Sequence, residues 1–165
     1  MLKESKEVLA KAAEEMGYNF EKTYHGCSQA VARAVLHALG RQEETLFAAS
    51  FPFAGGLAMT QGTCGAVVGG MMCLGACSKK YGRPWDEFNT WGMDQLFTAL
   101  NSVAAVYERC KETLGGTVNC REIVGFDMKD KEEVAKFSES EKFEACCRNC
   151  GKIARIIVEA LLEEG

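Results

Sequence analysis

Between Thr45 and Ser78 the chain carries no charged residue at all. Such a run has to be buried or to cross a membrane. Pro52, Gly55, Gly56 and the polar group Thr60 to Thr63 cut it into pieces too short to span a bilayer, which needs about 20 apolar residues. A buried helix is therefore expected through the glycine-rich stretch Cys64-Gly65-Ala66-Val67-Val68-Gly69-Gly70-Met71-Met72-Cys73-Leu74-Gly75-Ala76-Cys77. Thr60 and Thr63 are candidate N-caps, because a hydroxyl there satisfies otherwise unpaired amides. Cys64 would then lie in the first turn, where the positive end of the helix dipole favours the thiolate. The glycines within it weaken a helix unless another backbone or a ligand comes close.

The other segments read as amphipathic helices. Residues 2–16 place Val8, Leu9, Ala12, Ala13 and Met16 on one face, with Gly17 as the stop and 18–26 as a connector. A helix from Cys27 to Leu39 sets Cys27 on the same stripe as Ala30, Val31, Ala34, Val35 and Ala38, with His25 just ahead of it. A short helix over 43–50 runs into Phe51-Pro52-Phe53. Pro84 suits the first position of a long helix to Leu114, with Leu96, Leu100, Val103, Tyr107, Cys110 and Leu114 facing inward. Cys120 opens a short turn capped by Asn119 or Thr117, and the charge-rich stretch 126–140 reads as a solvated face. The last helix begins either at a capping box from Ser138 to Glu141 or near Cys150, beyond Asn149 and Gly151. No strand-period alternation is sustained anywhere. The expected architecture is one domain over 1–165, an all-α bundle of five or six helices around the central glycine-rich helix.

Nine cysteines in 165 residues are too few for a small disulfide scaffold, and the charged N-terminus lacks a signal peptide's apolar core. A reducing cytoplasm is expected, where clustered cysteines bind metal or cycle redox state. The net charge of −4 with interspersed signs argues against nucleic acid. Cys73, Cys77 and Cys110 fall on apolar stripes and read as core. Cys27, Cys64, Cys120 and Cys150 instead stand at or near predicted helix starts. Convergence of those starts would stabilise clustered thiolates or a thiolate-bound metal centre. Cys146 and Cys147 are alternatives to Cys150, and Arg148 between them is placed to lower a neighbouring thiol's pKa. The spacing excludes zinc ribbons, ferredoxin runs, thioredoxin motifs, covalent haem sites and phosphate loops.

These residues resemble the C_GCAxxG_C_C family of redox-active proteins. The box is similar to Cys64-Gly65-Ala66-Val67-Val68-Gly69, with glycine and cysteine exchanged relative to the family's name. The leading cysteine corresponds to Cys27 in Gly26-Cys27-Ser28-Gln29, the third to Cys120 and the fourth to Cys150. The resemblance implies a redox activity without a defined substrate, and a similar domain elsewhere is associated with an iron–sulfur centre. Two main readings stand: thiol–disulfide chemistry with Cys64 as nucleophile and Cys27 or Cys120 resolving, or an electron carrier whose cluster is held by Cys27, Cys64, Cys120 and Cys150. A structural four-cysteine zinc site and a non-redox interaction module are the lesser alternatives. A redox partner protein is expected, no membrane span, and a homodimer is compatible with the sequence.

Overall fold

The structure is a computed structural model that describes residues 3–163, and every described segment is helical or irregular. Its eight α-helices are α1 Lys3–Tyr24, α2 Cys27–Ala38, α3 Glu44–Ser50, α4 Gly65–Cys77, α5 Met93–Thr113, α6 Cys120–Val124, α7 Lys131–Ser138 and α8 Glu141–Leu162. This exceeds the expected five or six, because the stretch 126–140 contains α7 and both short segments, α3 and α6, are helical. One isolated antiparallel pair, Thr63 with Asn119, is the sole strand-like contact among the described residues.

The frame is made by α1, α2, α4 and α8 packed on one another. Their facing residues are mostly small or β-branched: Ala10 and Ala13 from α1, Val31 and Val35 from α2, Ala66 and Val67 from α4, Ile153 and Ile157 from α8, with Leu74 of α4 among them. Small side chains allow close axes. A Cβ at Gly17 would stand 2.8 Å from the carbonyl oxygen of Cys150, and one at Gly151 would stand 2.5 Å from that of Glu14. Gly17 therefore does not stop α1; it lets α1 cross α8, and the helix continues through the expected connector to Tyr24. Residue 2, where the expected helix begins, lies outside the described residues. On α4, a Cβ at Gly69 would collide with the carbonyl oxygen of Ser28, so α2 and α4 touch backbone to backbone.

Two other boundaries differ from expectation. Pro84 leads only a single 3-10 turn, Trp85–Glu87, after which Trp91 Nε1 donates to Glu87 Oε2 at 2.8 Å. The long helix starts at Met93, where Gln95 accepts from the Gly92 amide. Its first half is not core: Met93, Phe97 and Leu100 are exposed, as are Phe88 and Trp85, the last at 97%. Of the expected stripe only Cys110 and Leu114 are buried, joined by Val106, which lies off it. The start of α8 resolves the alternatives left by the sequence. Ser140 caps it by accepting from the Phe143 amide at 3.3 Å, and the helix runs unbroken through Asn149 and Gly151. No described helix is long and apolar enough to cross a membrane.

Candidate functional site: a cavity lined by cysteines

The end of α1, the start of α2, the approach to α4, the segment from α6 to α7 and the first half of α8 enclose a cavity of about 780 Å³. Cys27, Cys64, Cys120, Cys146 and Cys150 all line it. Each arrives by a local device. After Tyr24 the chain turns through His25 and Gly26, both at positive φ, so that α2 begins at Cys27. Glu21 fixes this turn by accepting the Gly26 amide on Oε2 at 2.9 Å.

Cys64 and Cys120 are brought together by a short backbone ladder. The Cys64 amide donates to Val118 O at 2.7 Å and the Cys120 amide to Gly62 O at 2.7 Å. Asn119 caps α6 by accepting from the Arg121 and Glu122 amides. Cys64 is itself the N-cap residue of α4, one position earlier than expected, and neither Thr60 nor Thr63 caps it; Thr60 Oγ1 bonds back to Gly56 O and Leu57 O instead. Cys146 and Cys150 stand one turn apart on α8, so both face the cavity while Cys147 turns toward Phe137 and Phe143. The choice among the three late cysteines is thus between Cys146 and Cys150. Cys150 Sγ also lies 3.9 Å from the carbonyl oxygen of Cys27. Gly65 leaves room for the Cys27 sulfur, which would stand 2.6 Å from a Cβ there.

The loop over the cavity is backbone-strained. Gly55, Gly56, Leu57, Ala58 and Met59 are five consecutive residues at positive φ, and Gln61 is a sixth nearby. For a residue with a Cβ that region costs about 1–2 kcal/mol. The turn is held by Ala58 N–H to Pro52 O at 2.7 Å and Gln61 N–H to Gly55 O at 3.0 Å. Buried Gln61 then donates from Nε2 to Phe126 O at 2.6 Å and accepts the Met128 amide, fastening the segment before α7. Val134 and Phe137 of α7 complete the wall, so part of the expected solvated stretch faces inward.

Electrostatics overturns one expectation. Burial pushes the Cys64 thiol above its ordinary range, and the Val67 and Ala66 amides offset only part of that rise. The dipole argument was sound in direction, but desolvation of a thiolate in an apolar wall is the larger effect. Burial raises Cys120 to about 11 and Cys146 to about 12, and drives Cys27 and Cys150 well above normal. Arg148 sits at the surface 3.5 Å from Glu144.

Glu21 is the residue that the sequence reading missed. It is 7% exposed, lines the cavity, and burial lifts its carboxyl to about 7. Its charge in turn raises Cys27, Cys64, Cys146 and Cys150. A signal existed, since Ala10, Ala13, Gly17 and Glu21 form one buried stripe once α1 is read past Gly17. His25 sits at the rim with its ring 5.1 Å from that of Phe143.

Cys73, Cys77 and Cys110 lie outside the cavity, in or against the main core as expected. No three Cys, His, Asp or Glu side chains among the described residues form a group that could hold a metal ion. The four cysteines expected as cluster or zinc ligands share a cavity but do not compose a ligand shell.

The fold and the cavity define a small all-helical protein with a cysteine-lined pocket. The chain belongs to the C_GCAxxG_C_C family: the family model, described as "Putative redox-active protein (C_GCAxxG_C_C)", matches residues 24–161. Glu21 lies just ahead of the matched region. No curated protein and no solved structure matches the chain.

Proposed function

We propose that this chain is a thiol–disulfide exchange protein working inside the cavity, with Cys64 as the attacking thiol and Cys27 as the resolving one. The observation that carries the reading is the shared cavity itself, lined by five cysteines from four segments distant in sequence. Cys64 is assigned the attack because two helix amides, from Val67 and Ala66, stabilise its thiolate. Cys27 is assigned resolution because its sulfur packs against Gly65, the residue next to Cys64.

The Cys64 thiol passes its proton to the Glu21 carboxylate, and the thiolate attacks one sulfur of a disulfide R–S–S–R. The S–S bond breaks, and the leaving R–S⁻ takes a proton from Glu21. Cys27, deprotonated in the same way, then attacks the Cys64 sulfur and expels the second thiol. The protein loses two thiol hydrogens and gains one disulfide, while the substrate gains two electrons and two protons. Reduction potentials set the direction.

Mass mapping of the anaerobically reduced protein after limited oxidation tests this. A Cys27–Cys64 link is the expected first product; oxidation that leaves Cys64 unlinked refutes the assignment. Glu21→Gln tests the proton path by sign. If Glu21 acts only through its charge, the variant lowers thiol pKa and speeds exchange at pH 7. If it accepts the proton, exchange slows, by tenfold or more on the usual scale of general-base effects of about 100-fold.

A further inference from the structure

The cavity restricts what could undergo that exchange. Cys64, Cys120 and Cys150 are buried, and apolar side chains from three helices, Ile123, Val124, Val134, Phe137 and Phe143, stand around them. A disulfide held in a protein backbone cannot bring a sulfur into line with a thiol at such depth; cysteines that act on proteins sit partly exposed. A free small molecule can. Among the described residues no lysine or arginine lines the cavity, and besides thiols its ionisable groups are Glu21 and the rim residue His25. An anionic ligand would be desolvated there beside a carboxylate, with no lysine or arginine to pair with it. The mouth is formed by exposed Phe51, Pro52, Ala58, Ser138 and His25, so its entrance is mainly apolar. A volume of about 780 Å³ lies within the ~300–1,000 Å³ of pockets that enclose drug-sized ligands.

We infer that the substrate is a small, uncharged, apolar disulfide that enters the cavity, and not a protein disulfide or an anionic one. The inference rests on the exchange reading above. In the step, the substrate's S–S bond is reduced to two neutral thiols and the protein dithiol is oxidised to its disulfide, with no further reactant needed.

The test uses the full reduced chain under anaerobic conditions and three probes: neutral dithiodipyridine, dianionic dithiobis(nitrobenzoate), and insulin as a protein disulfide. Each rate is divided by that of the same probe with N-acetylcysteine amide, a neutral free thiol, so that intrinsic electrophilicity cancels. The normalised preference for the neutral over the anionic probe is expected to be about 100-fold, and insulin is expected to be slower still. Dipyridylmethane, which fills the same space but has no disulfide, is expected to slow the neutral probe competitively, an arm that needs no variant. Val134→Trp, narrowing the cavity, is expected to slow dithiodipyridine about tenfold with the fold intact by circular dichroism. A normalised preference near one, or insulin as the fastest probe, overturns the inference. Products separate the two levels: selectivity lost while the Cys27–Cys64 disulfide still forms overturns the substrate class alone. Failure of all three probes to produce that disulfide overturns the exchange reading with it.

Discussion

Replacing Glu21 by glutamine gives the sharpest test of the buried carboxyl. Glutamine keeps an oxygen that accepts the Gly26 amide, so the turn into α2 retains its 2.9 Å hydrogen bond. What changes is titration. The carboxyl has its ordinary value of 4.5 when the chain is unfolded and about 7 in the folded protein, because burial penalises the charged form. Below pH 4.5 both states are protonated and Glu21 contributes nothing to pH dependence. Between 4.5 and 7 the folded state binds more protons than the unfolded one, so stability falls as pH rises. Above 7 the full penalty is present, about 3 kcal/mol at about 1.4 kcal/mol per pH unit. The variant does not titrate at this position, so it should gain on the wild type by about 3 kcal/mol between pH 4.5 and pH 8. Urea unfolding with the thiols kept reduced measures this. For a slope of about 2 kcal/mol per molar urea, the difference between the two midpoints should widen by about 1.5 M across that range. Groups common to both proteins cancel in the difference. Wild-type and variant curves that stay parallel from pH 4.5 to 8 would refute the buried-carboxyl argument.

Other substitutions test the packing. Gly69→Ala should destabilise by about 3 kcal/mol, because its Cβ would run into the Ser28 backbone and overpacking costs about 1–3 kcal/mol. Gly75→Ala on the same helix meets nothing nearer than 3.9 Å and should stabilise by up to about 1 kcal/mol, so equal effects in denaturant melts would sink the contact map of α4. Ser28→Ala should be neutral or stabilising by about 1 kcal/mol, since the buried Ser28 hydroxyl has no hydrogen-bond partner among the described residues; a clear loss in the same assay would show that it has one. Ala58→Gly should raise stability by about 1 kcal/mol by relieving a positive φ of 47°, and a loss would mean that the loop does not hold that conformation.

Helices bounded by local chemistry were legible in the sequence. Cys27 after Gly26, Glu44 before Phe51 and Cys120 behind the Asn119 cap all start helices within a residue of where spacing and capping place them. Boundaries that depend on a distant neighbour were not. Gly17 looks like a stop from its own sequence, and only the backbone of α8 explains why it lies inside a helix. Pro84, by contrast, looks like a helix start from its own sequence, yet it leads only the three-residue turn Trp85–Glu87, with Trp91 bonded locally back to Glu87. The cap at Ser140 lay two positions from the one suggested, while Val134 and Phe137 were hidden in a stretch whose charge pointed outward. In the candidate site, register told only part of the story: Cys73 and Cys110 are core, and Cys27, Cys64 and Cys120 stand at helix starts and line the cavity, but Cys27 also shares an apolar stripe, and Cys146 and Cys150 reach the cavity from within α8. Glu21 was not legible because a lone carboxylate normally marks a solvated face.

The same burial that hid Glu21 also limits how the thiols can react. Each cavity cysteine has its thiolate disfavoured by desolvation, so at neutral pH the empty pocket holds thiols and the helix amides at Cys64 provide only a partial bias. Indiscriminate oxidation needs an accessible thiolate, so this arrangement protects the group from water-borne oxidants. The proposed exchange then requires two things in the pocket at once: an electrophilic sulfur and a base whose proton affinity is matched to neutral pH. Glu21, lifted to about 7, is the one carboxyl among the described residues that lines the cavity, and the apolar wall responsible for lifting it is the wall that would admit uncharged ligands in the proposed exchange. In the proposed exchange, substrate choice and proton transfer would in this sense be consequences of one cause, the low polarity of the chamber. A polar substitution in that wall, such as Val134→Asn, should therefore move both together, lowering the carboxyl's pKa and weakening the preference for neutral disulfides. A change in either without the other would separate them.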